Sequence, residues 1–106
     1  MVITDEIRAI QDKIITAVPV EKLYLFGSYA KGTSNESSDY DFYVVIPADG
    51  LRPVEVVQRI FRSFRGMKRK PMDILAGTIE TFERRSKQIT LERIIATEGV
   101  LLYEKP

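Results

Sequence analysis

The chain has 106 residues, 44% of them hydrophobic and 29% charged, which fits one globular domain over residues 1–106 and leaves too few residues for a second. It contains neither Cys nor His, so disulfides, thiolate metal sites and imidazole catalysis are excluded, and any catalysis has to depend on carboxylates, hydroxyls, Lys, Arg, backbone groups or a bound metal. The net charge is only +1, but residues 1–50 hold four Lys/Arg against eight Asp/Glu, whereas residues 51–106 hold twelve against seven.

The first half of the chain reads as a helix followed by two strands. A stripe of isoleucines at helical spacing predicts a helix that begins at Thr4 and stops before Pro19. The segment KLYLFG (22–27) predicts a short strand that ends at a glycine, and YAKG after it fits either a short helix or a tight turn. A polar loop then leads into DYDFYVVI (39–46), whose aromatic and β-branched residues predict a second strand.

A second helix is expected to begin at Pro53, a residue that suits the first turn, and to end near Gly66. Its buried side is expected to carry Val54, Val57, Ile60, Phe61 and Phe64. Six Lys and Arg residues then crowd the stretch RIFRSFRGMKRKP (59–71). This stretch favours a solvated helix face with cations at its C-terminus, and the alternative is a patch for RNA, a triphosphate or an acidic partner.

The remainder predicts a third strand, KPMDILAG (70–77), a helical region from Thr78 to Gly99 with a break near Ser86, and a last strand, VLLY (100–103). The apolar residues expected in the core from this helical region are Ile89, Leu91, Ile94 and Ile95, although one excess apolar edge of this set could be a partner surface. The order α-β-β-α-β-α-β predicts an α/β sandwich, in which a small mixed β-sheet has helices packed on one face.

Two aspartates stand one residue apart where the second strand begins. Because alternate residues of a strand face opposite sides, apolar Phe42 is expected to face the helices, and Asp39 and Asp41 are expected to share the open face. Asp73 lies between two apolar residues of the third strand, so three carboxylates meet if the two strands are neighbours. Oxygen donors of this kind suit Mg²⁺, although such a pair of aspartates taken alone is also common in solvated turns.

These residues occur in an order that resembles a known family. A hydrophobic strand is followed by GSxA[RK]G, a polar loop, [ST]DxD, an apolar strand and a later Asp; here these are LYLF, GSYAKG, SSDYD, FYVVI and PMDIL. The pattern resembles the nucleotidyltransferase superfamily that includes DNA polymerase beta, and more narrowly its minimal nucleotidyltransferases. Lys31 stands where Arg is more usual, which keeps the charge but loses the bidentate guanidinium.

The resemblance implies a polymerase beta-like fold and a metal-dependent transfer of a nucleoside monophosphate, AMP from ATP, to an acceptor hydroxyl. It also implies two Mg²⁺ (or Mn²⁺) ions per site, one set of residues that bind the metals and catalyse the reaction, and another set that binds the nucleotide. The implied catalytic and metal-binding residues are Asp39, Asp41 and Asp73, and the implied nucleotide-binding residues are Gly27, Ser28 and Lys31. Asp73 would hold the catalytic metal and orient or deprotonate the acceptor hydroxyl.

Larger relatives carry an extra domain for the acceptor, so we expect a small acceptor here or a second protein that supplies the binding surface. The resemblance favours a small helical HEPN-type protein in a toxin–antitoxin pair, modified by this enzyme. The alternatives are a catalytically silent antitoxin-like binding module and a stand-alone enzyme that acts on a small molecule. Because the open face is acidic, we do not expect a nucleic-acid partner. Because no apolar run is long enough to span a bilayer, we expect a cytoplasmic protein without a membrane partner.

Overall fold

Helices and strands alternate along the chain in a computed structural model, which describes residues 3–106. The helices are α1 (Asp5–Ala17), α2 (Ser28–Lys31), α3 (Pro53–Ser63), α4 (Ile79–Arg85) and α5 (Leu91–Glu98). The strands are β1 (Lys22–Phe26), β2 (Tyr40–Ile46), β3 (Met72–Thr78) and β4 (Val100–Glu104). The predicted order is confirmed, YAKG contributes to a short helix, and the last helical region is divided in two after Arg85.

The four strands form one mixed sheet in the order β3-β2-β1-β4. Strand β1 is antiparallel to both β2 and β4, while β2 and β3 are parallel. The start of β2, the start of β3 and the end of β1 therefore lie at the same end of the sheet. This topology confirms the α/β fold class with a small mixed sheet, and it brings chain segments far apart in sequence to one place.

The main core lies between one face of the sheet and the helices α1 and α3. Thr4 caps α1, because its Oγ1 accepts a hydrogen bond from the amide of Ile7 at 3.2 Å. The isoleucine stripe of α1 then packs on the alternate residues of β2 that begin at Tyr40. The buried residues of these two elements are Ile7, Ile10, Ile14, Tyr40, Phe42, Val44 and Ile46.

Helices also cover part of the opposite face, which corrects the expectation that they pack on one face alone. Tyr24, Tyr43 and Val45 point to this second face and form a smaller core with Phe82 of α4 and Ile95 of α5. The residues on this face of the sheet explain the difference, because burying their large apolar side chains against helices removes apolar surface from water. The end of this face that carries Asp41 and Asp73 lies beyond this second core.

The rotation of α3 about its axis differs from the prediction. Ile60 and Phe64 are buried as expected, together with Val56, but Val54 is 54% exposed and Phe61 is 37% exposed. Both stripes repeat at helical spacing, so the sequence pattern of the helix cannot by itself decide which one faces the sheet. The helix therefore buries one stripe and leaves part of a second stripe in solvent.

The prediction for the last helix was wrong in most of its residues. Ile95 is fully buried, but Ile89 is 96% exposed, and Leu91 and Ile94 are also exposed. Helix α5 has only eight residues, and of these Ile95 is the one that is buried in the second core. None of the helices in the described part of the chain combines the length and the apolarity needed to cross a bilayer.

Candidate active site

One row of residues across the sheet brings together three segments that the sequence analysis identified. Asp41 in β2 pairs with Phe26 on one side and with Asp73 in β3 on the other. Gly27 directly follows Phe26. A glycine turn and two carboxylates thus meet at the end of the sheet, because β2 and β3 are neighbouring parallel strands in register.

Gly27 occupies a backbone conformation that only glycine adopts without strain, with φ of 75° and ψ of −151°. A Cβ atom at this position would overlap the carboxylate of Asp41. Gly27 also precedes α2, whose first hydrogen bond back to the turn runs from the amide of Lys31 to the carbonyl of Gly27 at 3.1 Å. The amides of the residues between them belong to the first turn and have no intrahelical acceptor, so they are available as donors.

The carboxylates repel one another in this arrangement. Burial of Asp41 raises the pKa of its carboxyl group, and the charges of Asp73 and Asp39 and a hydrogen bond with Asp73 raise that pKa further. Asp41 is half-buried, whereas Asp39 and Asp73 are exposed. A site with this electrostatic character favours a bound proton or a bound cation over three bare charges.

The donor set fits a hard divalent cation. Carboxylate oxygens are the ligands that Mg²⁺ and Mn²⁺ prefer, and glycine at position 27 lets the Asp41 carboxylate lie directly against the backbone of the turn. In residues 3–106, no three acidic side chains form a preassembled metal-binding group. The residues that could hold a metal are therefore Asp41 and Asp73, with Asp39 contributing from the loop before β2.

The two remaining predicted residues lie on α2. Ser28 is its first residue and is partly exposed, next to Gly27. Lys31 is its last residue, is exposed, and takes part in none of the ion pairs among the described residues. The structure therefore places Ser28 at the turn and Lys31 one helical turn further away.

Lys70 is a neighbour of the site that the sequence analysis did not single out. Its Nζ donates a hydrogen bond to the carbonyl of Glu36 at 2.7 Å and lies 5.9 Å from the centre of the Tyr29 ring. Tyr29 itself stands 4.5 Å from Tyr40, centre to centre. Lys70 thus ties the loop that leads to Asp39 to the start of β3. No periodic pattern marks such a contact, and the sequence analysis counted Lys70 only among the six cations of the stretch 59–71.

A polar network supports the strand beneath the site. The hydroxyl of Tyr43 donates to Glu92 Oε2 at 3.1 Å, and Arg85 Nε donates to Glu92 Oε1 at 2.9 Å. Burial would raise the pKa of Glu92, but hydrogen bonds from Arg85, the backbone and Tyr43 outweigh it and lower the pKa below its usual value. Gly77 makes room for the Tyr43 hydroxyl, which a Cβ there would overlap. The network holds α4 and α5 against the strand that carries Asp41.

Comparison with known families gives one match over most of the chain. The family model of the nucleotidyltransferase domain matches residues 7–98. No protein of curated function matches the chain by sequence. The matched range includes every residue of the row described above.

Several solved structures share the fold. A presumed nucleotidyltransferase from Sulfolobus solfataricus superposes with a TM-score of 0.64 at 18% identity, covering 92% of this chain and 77% of that one. A toxin–antitoxin structure with AMP-PNP gives a TM-score of 0.56 at 22% identity, covering 96% and 75%. The toxin–antitoxin MntA–HpeT, as a mutant with two aspartate-to-glutamate changes two positions apart, gives 0.54 at 20% identity, covering 92% and 73%. At these identities the likeness establishes the fold.

Proposed function

Since the chain belongs to the nucleotidyltransferase domain family, we propose that it transfers a nucleoside monophosphate, AMP from ATP, to an acceptor hydroxyl with the help of divalent metal ions. The observation that carries this proposal is the row of Gly27, Asp41 and Asp73 at one end of the sheet. The glycine gives phosphates access to the backbone, and the carboxylates stand beside that opening.

The glycine turn and α2 would bind the triphosphate. Gly27 has no side chain to obstruct the approach of phosphate oxygens, and the amide and hydroxyl of Ser28 are donors at the same place. Lys31 would add positive charge from the end of α2. Asp39 and Asp41 would hold two Mg²⁺ or Mn²⁺ ions, and Asp73 would share one of them.

The reaction replaces one phosphoester bond by another. The acceptor oxygen attacks the α-phosphorus of ATP, a new O–P bond forms, and the bond from that phosphorus to the bridging oxygen breaks to release pyrophosphate. Asp73, exposed at the rim of the row, would orient the acceptor hydroxyl and accept its proton. The bound metals supply positive charge that stabilises the developing charge on the phosphates.

We further propose that the acceptor lies on a partner protein, a small helical protein of the HEPN type in a toxin–antitoxin pair. Two structures of the same fold are toxin–antitoxin assemblies, one of them with AMP-PNP. The aspartates changed in the other are two positions apart, which is the spacing of Asp39 and Asp41 here. These likenesses support the proposal, and the acidic row suits a hydroxyl that is presented from a basic protein surface.

Intact mass spectrometry tests both parts of the proposal. The chain would be co-expressed with a helical protein encoded beside it, and the purified mixture would be incubated with ATP and Mg²⁺. We expect the partner to gain the mass of one AMP, and we expect Asp41→Asn to abolish the gain. A complex without a mass gain would favour a silent binding module. Transfer to water or to a small alcohol without a complex would favour a small-molecule acceptor.

A further inference from the structure

Helix α3 carries a second apolar stripe that the fold leaves in solvent. Val54 is 54% exposed and Phe61 is 37% exposed, while Val57 between them is half-buried. We call these three residues the outer stripe. Their spacing of three and four residues places them on one side of the helix, where Val57 packs against the edge of the main core and Val54 and Phe61 extend into solvent.

The outer stripe lies on the flank of α3 away from α1. The flank near α1 forms a groove with Ala17 that includes Arg59 and Ser63, and Arg62 lies on the ridge between this groove and the next. On the other flank, Val57 and Phe61 line an open groove together with Gln58, Arg62 and Arg65. Helix α3 packs on β3, the edge strand of the sheet, so this groove lies along a free side of the domain.

Positive charge surrounds the outer stripe. Residues 56–72 contain six Lys and Arg and no Asp or Glu. Within residues 3–106, no ion pair includes Arg59, Arg62 or Arg65. A second copy of the chain would bring the same cations together and be repelled, so the charge favours a partner with acidic residues.

The side chains in the groove favour a protein over a nucleic acid. Arg and large apolar residues together are typical of protein interfaces. Single-stranded nucleic acid needs exposed aromatic faces for its bases, and here the ring of Phe61 is the only aromatic group lining the groove. Arg69 already covers that ring, with the centre of its guanidinium 5.8 Å from the ring centre. The valines cannot stack bases.

We infer that the outer stripe is a docking surface for an α-helix of a partner protein, whose contacting face is apolar and flanked by Asp and Glu. Two helices pack through apolar residues at this spacing, and Arg62 and Arg65 would pair with the acidic flanks. The inference rests on the proposed function, because the partner is the protein that presents the acceptor hydroxyl. Among residues 3–106 no further strand lies outside β3, so a partner docked here stands beside the strand that carries Asp73.

A model peptide tests the surface without catalysis. The probe is a helical peptide of about three heptads with a Leu stripe flanked by Glu, added to the ¹⁵N-labelled full chain while amide chemical shifts are recorded. We expect saturable shifts at Val57, Phe61, Arg62 and Arg65. A peptide with Lys in place of Glu should bind at least tenfold more weakly. Arg62→Glu should weaken binding of the Glu peptide and strengthen binding of the Lys peptide. Arg93→Glu, on α5, should change the affinity for neither peptide.

Several outcomes would overturn the inference. The first is an absence of saturable shifts with the Glu peptide, and the second is equal affinity for both peptides. The third is that oligouridylate shifts these amides while the Glu peptide does not, which would make the groove a nucleic-acid surface. A titration of the same sample with ATP and Mg²⁺ keeps the two proposals separate. It should shift Gly27 and Ser28 and leave α3 unchanged, so loss of one response does not imply loss of the other.

Discussion

At the scale of single residues, Gly27 and Gly32 form a natural pair for comparison. Both have positive φ, 75° and 76°. A Cβ on Gly27 would overlap the Asp41 carboxylate, whereas a Cβ on Gly32 would meet no atom within 4 Å. The two glycines therefore share a positive φ, but Gly27, with ψ of −151°, lies in a region that is almost exclusive to glycine, whereas Gly32, with ψ of 17°, is in the ordinary left-handed helical region.

Gly32→Ala should lower the free energy of unfolding by about 1–2 kcal/mol for the left-handed backbone, and Gly27→Ala should lower it by more, because its φ and ψ are almost exclusive to glycine and its Cβ would overlap Asp41. Only Gly27→Ala should also weaken the binding of Mg²⁺ and ATP, because it displaces a carboxylate of the site. Chemical denaturation and calorimetric titration measure the two effects. Equal nucleotide affinity in both variants would show that Gly27 is needed for the turn alone.

Asp41 and Asp73 should respond differently to replacement by Asn. Asp41→Asn removes a half-buried carboxylate from between two others, so it should stabilise the metal-free protein and abolish binding of the metal–nucleotide complex. Asp73→Asn should retain nucleotide binding and lower turnover by about 10²–10⁴-fold, the usual range for a lost general base.

Asp49→Asn, in the exposed turn that follows the opposite end of β2, is the matched control for both changes and should behave as the unmodified chain. Urea denaturation without metal, calorimetry with ATP and Mg²⁺, and a transfer assay separate the three expectations. An Asp73→Asn variant with normal turnover would mean that Asp73 is only a structural residue at the start of β3.

At the scale of helices and strands, the network of Arg85, Glu92 and Tyr43 joins α4 and α5 to β2. The pKa of Glu92 is lowered in the folded state, so the folded protein gains stability from the ionised carboxylate. That contribution is fully present above the ordinary Glu pKa of about 4.3. It decreases as the pH falls and the group becomes protonated in the folded state.

Glu92→Gln should therefore lower the free energy of unfolding by about 1–2 kcal/mol at pH 7 and by less at pH 3, since the carboxyl group becomes protonated as the pH falls. Glu98→Gln, at the exposed end of the same helix, is the control and should have little effect at either pH. Denaturation curves at several pH values provide the measurement. A loss of the same size at pH 3 and pH 7 would assign the effect to packing rather than to charge.

The elements show where sequence patterns are sufficient and where they are not. The isoleucines of α1 and the alternation in β2 each allow one packing arrangement, and the structure has that arrangement. For α3 the sequence offers two stripes, and only the position of β3 decides between them. The convergence of Asp41 and Asp73 likewise depended on strand order, which residue alternation cannot supply. Lys70 acts through a contact 34 residues away, for which local pattern gives no signal.

At the scale of the whole molecule, the uneven charge along the chain corresponds to different surfaces. The acidic first half supplies β1, β2 and the loop with Asp39, and the basic second half supplies the exposed side of α3. The sheet separates the two surfaces. Helix α3 packs on one face of the sheet, whereas Asp41 and Tyr43 both belong to the other face. One domain can in this way bind a metal–nucleotide at one place and an acidic surface at another.

Binding of the metal–nucleotide complex should stabilise the whole domain, because a ligand that binds only the folded state adds its binding free energy to the stability. At a free concentration one hundred times the Kd, this amounts to about 2.7 kcal/mol. For a domain of this size each kcal/mol raises the Tm by about 4–8 °C, so we expect a rise of roughly 10–20 °C with ATP and Mg²⁺ together. Either component alone should give a much smaller rise, since the carboxylates repel free phosphate and Mg²⁺ shares its ligands with phosphate oxygens. Calorimetric scans of the full chain and of Asp41→Asn decide the matter: an equal rise in both would place the nucleotide elsewhere on the molecule.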